Sequence, residues 1–389
     1  MSSLRTAARV EALGFSEIVK IRNHIMSLQR RGVSVLPFHG GEPFLHTPDA
    51  IKQACIQALA DNKTRYAPSS GIEPLLELII EKVRTRNRIP AEPGQAIVVS
   101  GGLHGLFVAF MTTVNPGDDV MVLSPYWTPI QDLIVLAGGR RVLVNSFQAR
   151  GQRLRTMLEQ SLTPATRVIY YNSPTNPTGQ VYTRAEVESL AQFACTHDLV
   201  VIADEAYEDI VFDGEHVSLA SLPGMMERTL TVYTLSKSFS MTGWRLGYVI
   251  ATEPWMTGLR KLTLNSINGV STPTQWAAVE AFRMGPAYFE ELRQAYRQRR
   301  DLLVAGLRAA GLACEMPAGT FYAFPRINPA LGQDSWQAFH CLLEQFGISS
   351  VPGVVFGPDG EGHLRFCFST SLETIEAAVE RLARLQRAD

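Results

Sequence analysis

The chain has 389 residues, 46% hydrophobic and 19% charged, with 18 Phe, 11 Tyr and 5 Trp. That length exceeds one ordinary hydrophobic core, and that composition excludes disorder, so about two domains packed together are expected. Lys plus Arg number 36 against 37 for Asp plus Glu, a net charge of -1, which leaves no cationic excess for nucleic acid or an anionic lipid surface.

The first 45 residues carry one amphipathic helical pattern, at about residues 16–31, whose apolar positions are Ile18, Ile21, Ile25 and Leu28. The leading segment MSSLRTAARV lacks the apolar run of a signal peptide. The cysteines Cys55, Cys195, Cys314, Cys341 and Cys367 are odd in number, widely spaced and without a C-x-x-C pair. Reduced thiols and a cytoplasmic location are therefore expected, with neither a disulfide frame nor a metal site.

Residues 97–114 contain no Asp, Glu, Lys or Arg. Ser100, Gly101, Gly102, His104 and Gly105 divide this stretch into a strand, a turn and a helix, which is a better reading than a membrane span. Onward to about residue 250, short β-branched runs alternate with helix-period segments: IVVS, DVMVL, RVLVN, RVIYYN, LVVIAD, TLTVYTL and LGYVIA. Such alternation predicts an α/β fold with a mainly parallel sheet buried on both faces. The last hundred residues mix a long Arg-rich helix ending at Gly311 with short strands (TFYAFPRI, HLRFCFS) and two more helices. They predict a smaller α+β domain formed by both chain ends, residues 1–45 and 290–389, beside a large domain at 46–289.

Ligands of such sheets sit at the carboxyl ends of the strands, so the residues after each strand carry the information. Gly101 and Gly102 follow the first run and open a helix, which suits an anion but equally suits a tight turn. Trp127 follows the second, as a flat platform or as core. RVIYYN runs into NSPTNPTG, where two X-Pro turns hold the Asn176 amide in a stiff loop. LVVIAD ends in Asp204, either a functional carboxylate or a helix N-cap, with Tyr207 close behind. A metal reading of Asp204 has no His at suitable spacing. TLTVYTL leads to Thr234 and then Lys237, one of only six lysines, with Arg245 shortly after. A lysine there is either a snorkelling surface residue or a desolvated amine suited to Schiff-base chemistry, and only the second reading accounts for the hydroxyls and arginine clustered with it. No G-x-G-x-x-G or G-x-x-x-x-G-K-[ST] loop follows any strand, which argues against a nucleotide enzyme.

Taken in order, GGEPFLHTP, YAPSSG, GGLHGLF, LSPYW, NSPTNPTG, DEAYED, SKSFSMTGWRLGY, VPGVVFG and HLRFCFS span nearly the whole chain. On these motifs the sequence resembles the fold type I, class I aminotransferases that use pyridoxal 5'-phosphate, in particular the bacterial aspartate aminotransferase subgroup. The resemblance implies that Lys237 binds the cofactor aldehyde and then moves the substrate proton. It implies that Asp204 pairs with the pyridinium nitrogen, that Tyr207 and Asn176 bond the phenolic oxygen, and that Trp127 stacks on the ring. Backbone N–H groups at Gly102 and Leu103 would hold the phosphate with Thr234 and Arg245, aided by Tyr66 of a neighbouring subunit, so a homodimer is implied. Arg365, with Asn176 and Gly41, would clamp the substrate α-carboxylate.

Two departures bear on substrate. Leu103 stands where aspartate-using members carry a lysine, and Phe44 stands where Asp is common. Aspartate is therefore not expected to be the preferred amino donor, and glutamate would need an arginine that the sequence does not single out. His39 and His104 flank the inferred cleft and could contact a substrate side chain, although a lone histidine is more often structural. The expected reaction is transfer of an amino group from an L-amino acid to a 2-oxo acid. The alternative is a β-lyase, oxidase or cyclising enzyme built on the same lysine chemistry. A non-catalytic effector domain is disfavoured, because Lys237 is intact and no helix-turn-helix segment precedes the fold.

Overall fold

The computed structural model describes residues 5–385 except 148 and 150. Seven strands form the central sheet: β1 (Ala96–Val99), β2 (Asp119–Ser124), β3 (Arg140–Asn145), β4 (Thr166–Asn172), β5 (Val200–Asp204), β6 (Thr229–Thr234) and β7 (Gly247–Ile250). Their order across the sheet is β1-β7-β6-β5-β4-β2-β3. Pairs on the β6-β5-β4-β2-β3 side are parallel, whereas β7 runs antiparallel to both β1 and β6. The expected mainly parallel sheet is thus present, with one reversed strand.

Period-2 side-chain alternation explains why the strands are apolar along their whole length. In β1, Ile97 and Val99 enter one core while Ala96 and Val98 enter the opposite one. In β4, Val168 and Tyr170 likewise face one side, and Ile169 and Tyr171 the other. The charge-free stretch resolves into β1, a glycine turn and helix α1 (Gly101–Thr113), which lies against β6 and β7. Among the described residues no helix is long and apolar enough to cross a membrane.

A separate core joins the two chain ends. Ile21 and Ile25, from helix α2 (Glu17–Arg30), pack with residues from the long helix α3 (Pro286–Ala309) and the C-terminal helix α4 (Leu372–Leu382). A three-stranded antiparallel sheet completes it: β8 (Tyr322–Ala323), β9 (Val351–Pro352) and β10 (Leu364–Cys367), in the order β9-β10-β8. Only two residues of TFYAFPRI enter this ladder, because the sheet is narrow and its flanks turn into loops. Leu36–Pro37 pairs in parallel with Ile348–Ser349, tying the N-terminal arm to the same body. Helix α3 bridges the two parts: Phe289 belongs to the core under the large sheet, while Leu292, Tyr296 and Leu303 belong to the smaller one.

Candidate active site

A cavity of about 950 Å³ opens where β1, β4, β5 and β6 end, between the large sheet and the smaller body. Its lysine follows from local geometry. β6 runs into a single helical turn, Leu235–Ser238, capped by Thr234, whose Oγ1 accepts the Ser236 N–H at 3.2 Å. That turn aims Lys237 into the cavity, where Nζ donates to the Gly41 carbonyl at 2.7 Å. Burial lowers the amine pKa to about 8, so a useful neutral fraction exists near neutral pH.

Asp204 closes β5 and is 6% exposed. It caps no helix, because residues 206–209 form turns. Instead its Oδ2 accepts Tyr170 Oη–H at 2.8 Å and its Oδ1 accepts the Ala206 N–H at 3.2 Å. Burial raises its pKa to about 6, and the Tyr170 hydrogen bond opposes that rise. A cationic ring nitrogen beside it would stabilise the ionised form. Tyr207 lies deep in the wall, its hydroxyl 3.0 Å from that of Tyr322, and burial pushes its pKa well above the usual phenol value.

Arg365, on β10, is 2% exposed. Nη1 donates to Asn176 Oδ1 at 3.1 Å, and Nη2 donates to the carbonyls of His39 and Gly40 at 3.0 and 2.9 Å. Asn176 is itself fixed by its N–H to Asn172 Oδ1 at 2.9 Å. Arg365 Nε is a buried donor without a partner, and among the described residues the guanidinium donates only to neutral oxygens. A buried cation without a counter-ion is costly, so the site is complementary to an anion. A Cβ at Gly41 would stand 2.9 Å from the Tyr322 hydroxyl, so a larger residue there would force that hydroxyl to shift.

At the other end of the cavity, Gly102 and Leu103 begin α1. Arg245 holds a left-handed backbone, φ +55°, and donates to the carbonyls of Thr242 and Ser100 at 2.8 and 3.3 Å. Gly101, at φ +78°, lets the guanidinium approach, because a Cβ there would sit 2.5 Å from Arg245 Nη2. Exposed N–H groups at a helix start beside an arginine form a cradle for a phosphate. Thr234 and half-buried Trp127 line the same space.

The structure therefore gathers Gly41, Gly102, Leu103, Trp127, Asn176, Asp204, Tyr207, Thr234, Lys237, Arg245 and Arg365 around one cavity. Tyr66 is not among them; it is 90% exposed and lies outside this cavity. His104 is also outside: its Nδ1 accepts the Ser100 N–H at 3.2 Å and its Nε2 faces Ser266 Oγ at 2.9 Å, a structural role. His39 does line the cavity, with Nδ1 2.8 Å from Ser349 Oγ. Phe44 packs edge-to-face on Tyr296 away from the cavity. Sequence reasoning passed over Ser236, whose Oγ accepts from Thr234 Oγ1 at 2.9 Å, although it adjoins Lys237. It also passed over Tyr170, Tyr322 and Arg22, which nothing in their local sequence distinguishes.

The chain as a whole is similar to known proteins. The family profile for "Aminotransferase class I and II" matches residues 33–382. The aspartate/prephenate aminotransferase of Thermus thermophilus is 38% identical over 387 residues, covering 97% of each chain. An aromatic-amino-acid aminotransferase of Thermococcus litoralis is 35% identical, again over 97% of each. The structure of the Thermus thermophilus aspartate aminotransferase with maleate superposes with a TM-score of 0.92 at 38% identity, covering 98% of this chain and all of that one. With the cavity's lysine, carboxylate and anion sites in place, the chain belongs to the class I and II aminotransferases, enzymes that depend on pyridoxal phosphate.

Proposed function

We propose that the protein transfers an amino group from an L-amino acid to a 2-oxo acid, and that aspartate is not its preferred donor. The observation carrying this reading is the cavity's three unmatched demands: a desolvated amine at Lys237, a buried carboxylate at Asp204 and a buried, counter-ion-free guanidinium at Arg365. An aldehyde, a pyridinium nitrogen and a carboxylate answer them in turn.

Pyridoxal phosphate supplies an aldehyde and an electron sink for the carbanion left when the substrate loses its α-proton. Lys237 would hold the cofactor aldehyde, and its desolvated amine would serve as general base and acid for the substrate α-proton. Asp204, whose ionised form Tyr170 and the Ala206 N–H favour against burial, would keep the ring nitrogen protonated. Tyr207 and Asn176 would bond the ring hydroxyl, and Trp127 would stack on the ring. The N–H groups of Gly102 and Leu103, with Thr234 and Arg245, would hold the phosphate. Arg365 binds the α-carboxylate, supported by Asn176 and the backbone at Gly41. Tyr66, exposed here, reaches the phosphate site of the second subunit in a homodimer. Residues 46–289 carry the cofactor, and residues 1–45 with 290–389 form the body that brings Arg365 to it.

Leu103, 43% exposed and lining the cavity, offers a short acidic side chain no cation. Spectra of the purified protein with single L-amino acids test the reading. The cofactor's visible band should convert with about one equivalent of 2-oxo acid and then stop until an acceptor is added. Lys237→Ala should abolish the conversion. Steady production of 2-oxo acid without acceptor would instead mark a lyase or oxidase, and a strong aspartate response would overturn the donor assignment.

A further inference from the structure

Four cations line the cavity, Arg22, Lys237, Arg245 and Arg365, against two carboxylates, Asp204 and Glu42. Three of the four have assigned work. Lys237 bonds the Gly41 carbonyl, Arg245 bonds Thr242 and Ser100, and Arg365 bonds Asn176, His39 and Gly40. Arg22 differs. It projects from α2, is exposed, and makes no hydrogen bond or ion pair among the described residues. Its neighbour one helical turn earlier, Ile18, lines the same cavity, so this face of α2 forms part of the cavity wall.

We infer that Arg22 is the cation that receives the side-chain carboxylate of a five-carbon acidic substrate, glutamate or its 2-oxo acid. This rests on the aminotransferase reading above and adds the substrate class. Two anionic ends need two cations, and Arg365 supplies only one. Leu103 leaves the start of α1 without a second, so an acidic side chain finds its partner on the N-terminal helix instead. Arg365 lies in the cavity floor at 2% exposure, whereas Arg22 is exposed to solvent at its mouth. A substrate anchored at Arg365 and extending outward meets the rim cation with its longer side chain, which favours glutamate over aspartate. His39 lines the same cavity and feels both charges: its carbonyl accepts from Arg365, and its ring is kept neutral by burial and by the charges of Arg365 and Arg22. The rim therefore holds a free guanidinium beside an uncharged imidazole, a combination suited to a carboxylate.

The test uses holoenzyme in three forms: native, Arg22→Ala and Arg22→Lys. Single-turnover conversion is followed with glutamate, aspartate and phenylalanine, and binding of glutarate, an unreactive dicarboxylate, is measured by calorimetry. Native enzyme should convert glutamate faster than aspartate. Arg22→Ala should lower kcat/KM for glutamate and affinity for glutarate by about 10- to 100-fold, the weight of one charge-assisted hydrogen bond, while phenylalanine changes by less than about 2-fold. Arg22→Lys should recover part of the loss. Equal losses for glutamate and phenylalanine, or no loss for either, would overturn the assignment. So would a native enzyme that converts phenylalanine but not glutamate. A native enzyme that converts no amino acid at all would instead overturn the aminotransferase reading on which the inference rests.

Discussion

Two buried charged regions flank the end of β5, and they are built on opposite terms. Beneath the strand end, Lys82 pairs with Glu208, Arg86 pairs with Asp209, and His216 Nε2 lies 3.0 Å from Glu205 Oε2. Asn87 Nδ2 donates to Glu208 at 2.7 Å, Tyr233 Oη–H donates to Glu205 at 2.8 Å, and Ser238 Oγ–H donates to Asp209 at 2.6 Å. Every cation there has its carboxylate. Burial works to lower the His216 pKa, but the charge and hydrogen bond of Glu205 together with the charge of Glu208 outweigh it and raise it; burial likewise works to raise the Glu205 pKa, but His216, Ser218 and Tyr233 hold it below its usual range. In the cavity at Lys237, by contrast, cations meet carbonyl oxygens and neutral side chains, and Asp204 meets a phenol and an amide. One region pairs its cations with carboxylates and so supports the fold, although Asn87 Oδ1, Glu205 Oε1 and His216 Nδ1 are buried without a partner. The other remains unsatisfied and so binds ligands.

If that contrast holds, the two regions should fail differently. Arg365→Ala removes a cation that only substrate completes, and should lower kcat/KM by about 10³-fold while leaving thermal stability close to native. Lys82→Met strands Glu208 in a buried site, and should cost about 3 kcal/mol of stability, measured by denaturant unfolding, with kcat/KM of the folded fraction little changed. A Lys82→Met protein of native stability would erase the distinction.

The pH dependence of cofactor uptake sharpens the comparison further. With the Lys237 pKa lowered to about 8, the neutral amine grows about tenfold per pH unit up to that point and then levels. The rate at which apoenzyme takes up pyridoxal phosphate should follow the same curve above pH 7, flattening near 8, whereas a solvated lysine would keep rising towards about 10.4. Leu103→Lys has the smallest expected effect. It should raise kcat/KM for aspartate by about tenfold, with little change for phenylalanine, by adding a cation to the cavity wall.

Much of the site was legible because its residues follow strands whose β-branched runs are plain in the sequence. Gly102, Asn176, Asp204, Thr234 and Lys237 each occur within a few residues of such a run. What was not legible came from elsewhere in space. Tyr322 reaches Tyr207 across a sequence separation of 115, and Tyr170 supports Asp204 from the neighbouring strand β4. Both are set by register and packing rather than local pattern. Arg22 was hidden because one arginine on an amphipathic helix looks like any solvated residue. The Asp204 N-cap alternative fell because side-chain and backbone donors satisfy the carboxylate where no helix begins. The reversal of β7 was invisible too, since a buried antiparallel strand and a buried parallel one share the same composition.

That reversal has a consequence for the order of assembly. Because β6 and β7 pair antiparallel, Thr234 lies beside Gly247 and the segment carrying Lys237 and Arg245 is a local hairpin-like loop. Closing it joins residues only 13 apart, whereas Arg365 must meet Asn176 across a separation of 189. Chain entropy makes the first closure far cheaper than the second. A folding chain can therefore complete the loop proposed to hold the cofactor while the half proposed to recognise substrate is still being brought in from the chain ends.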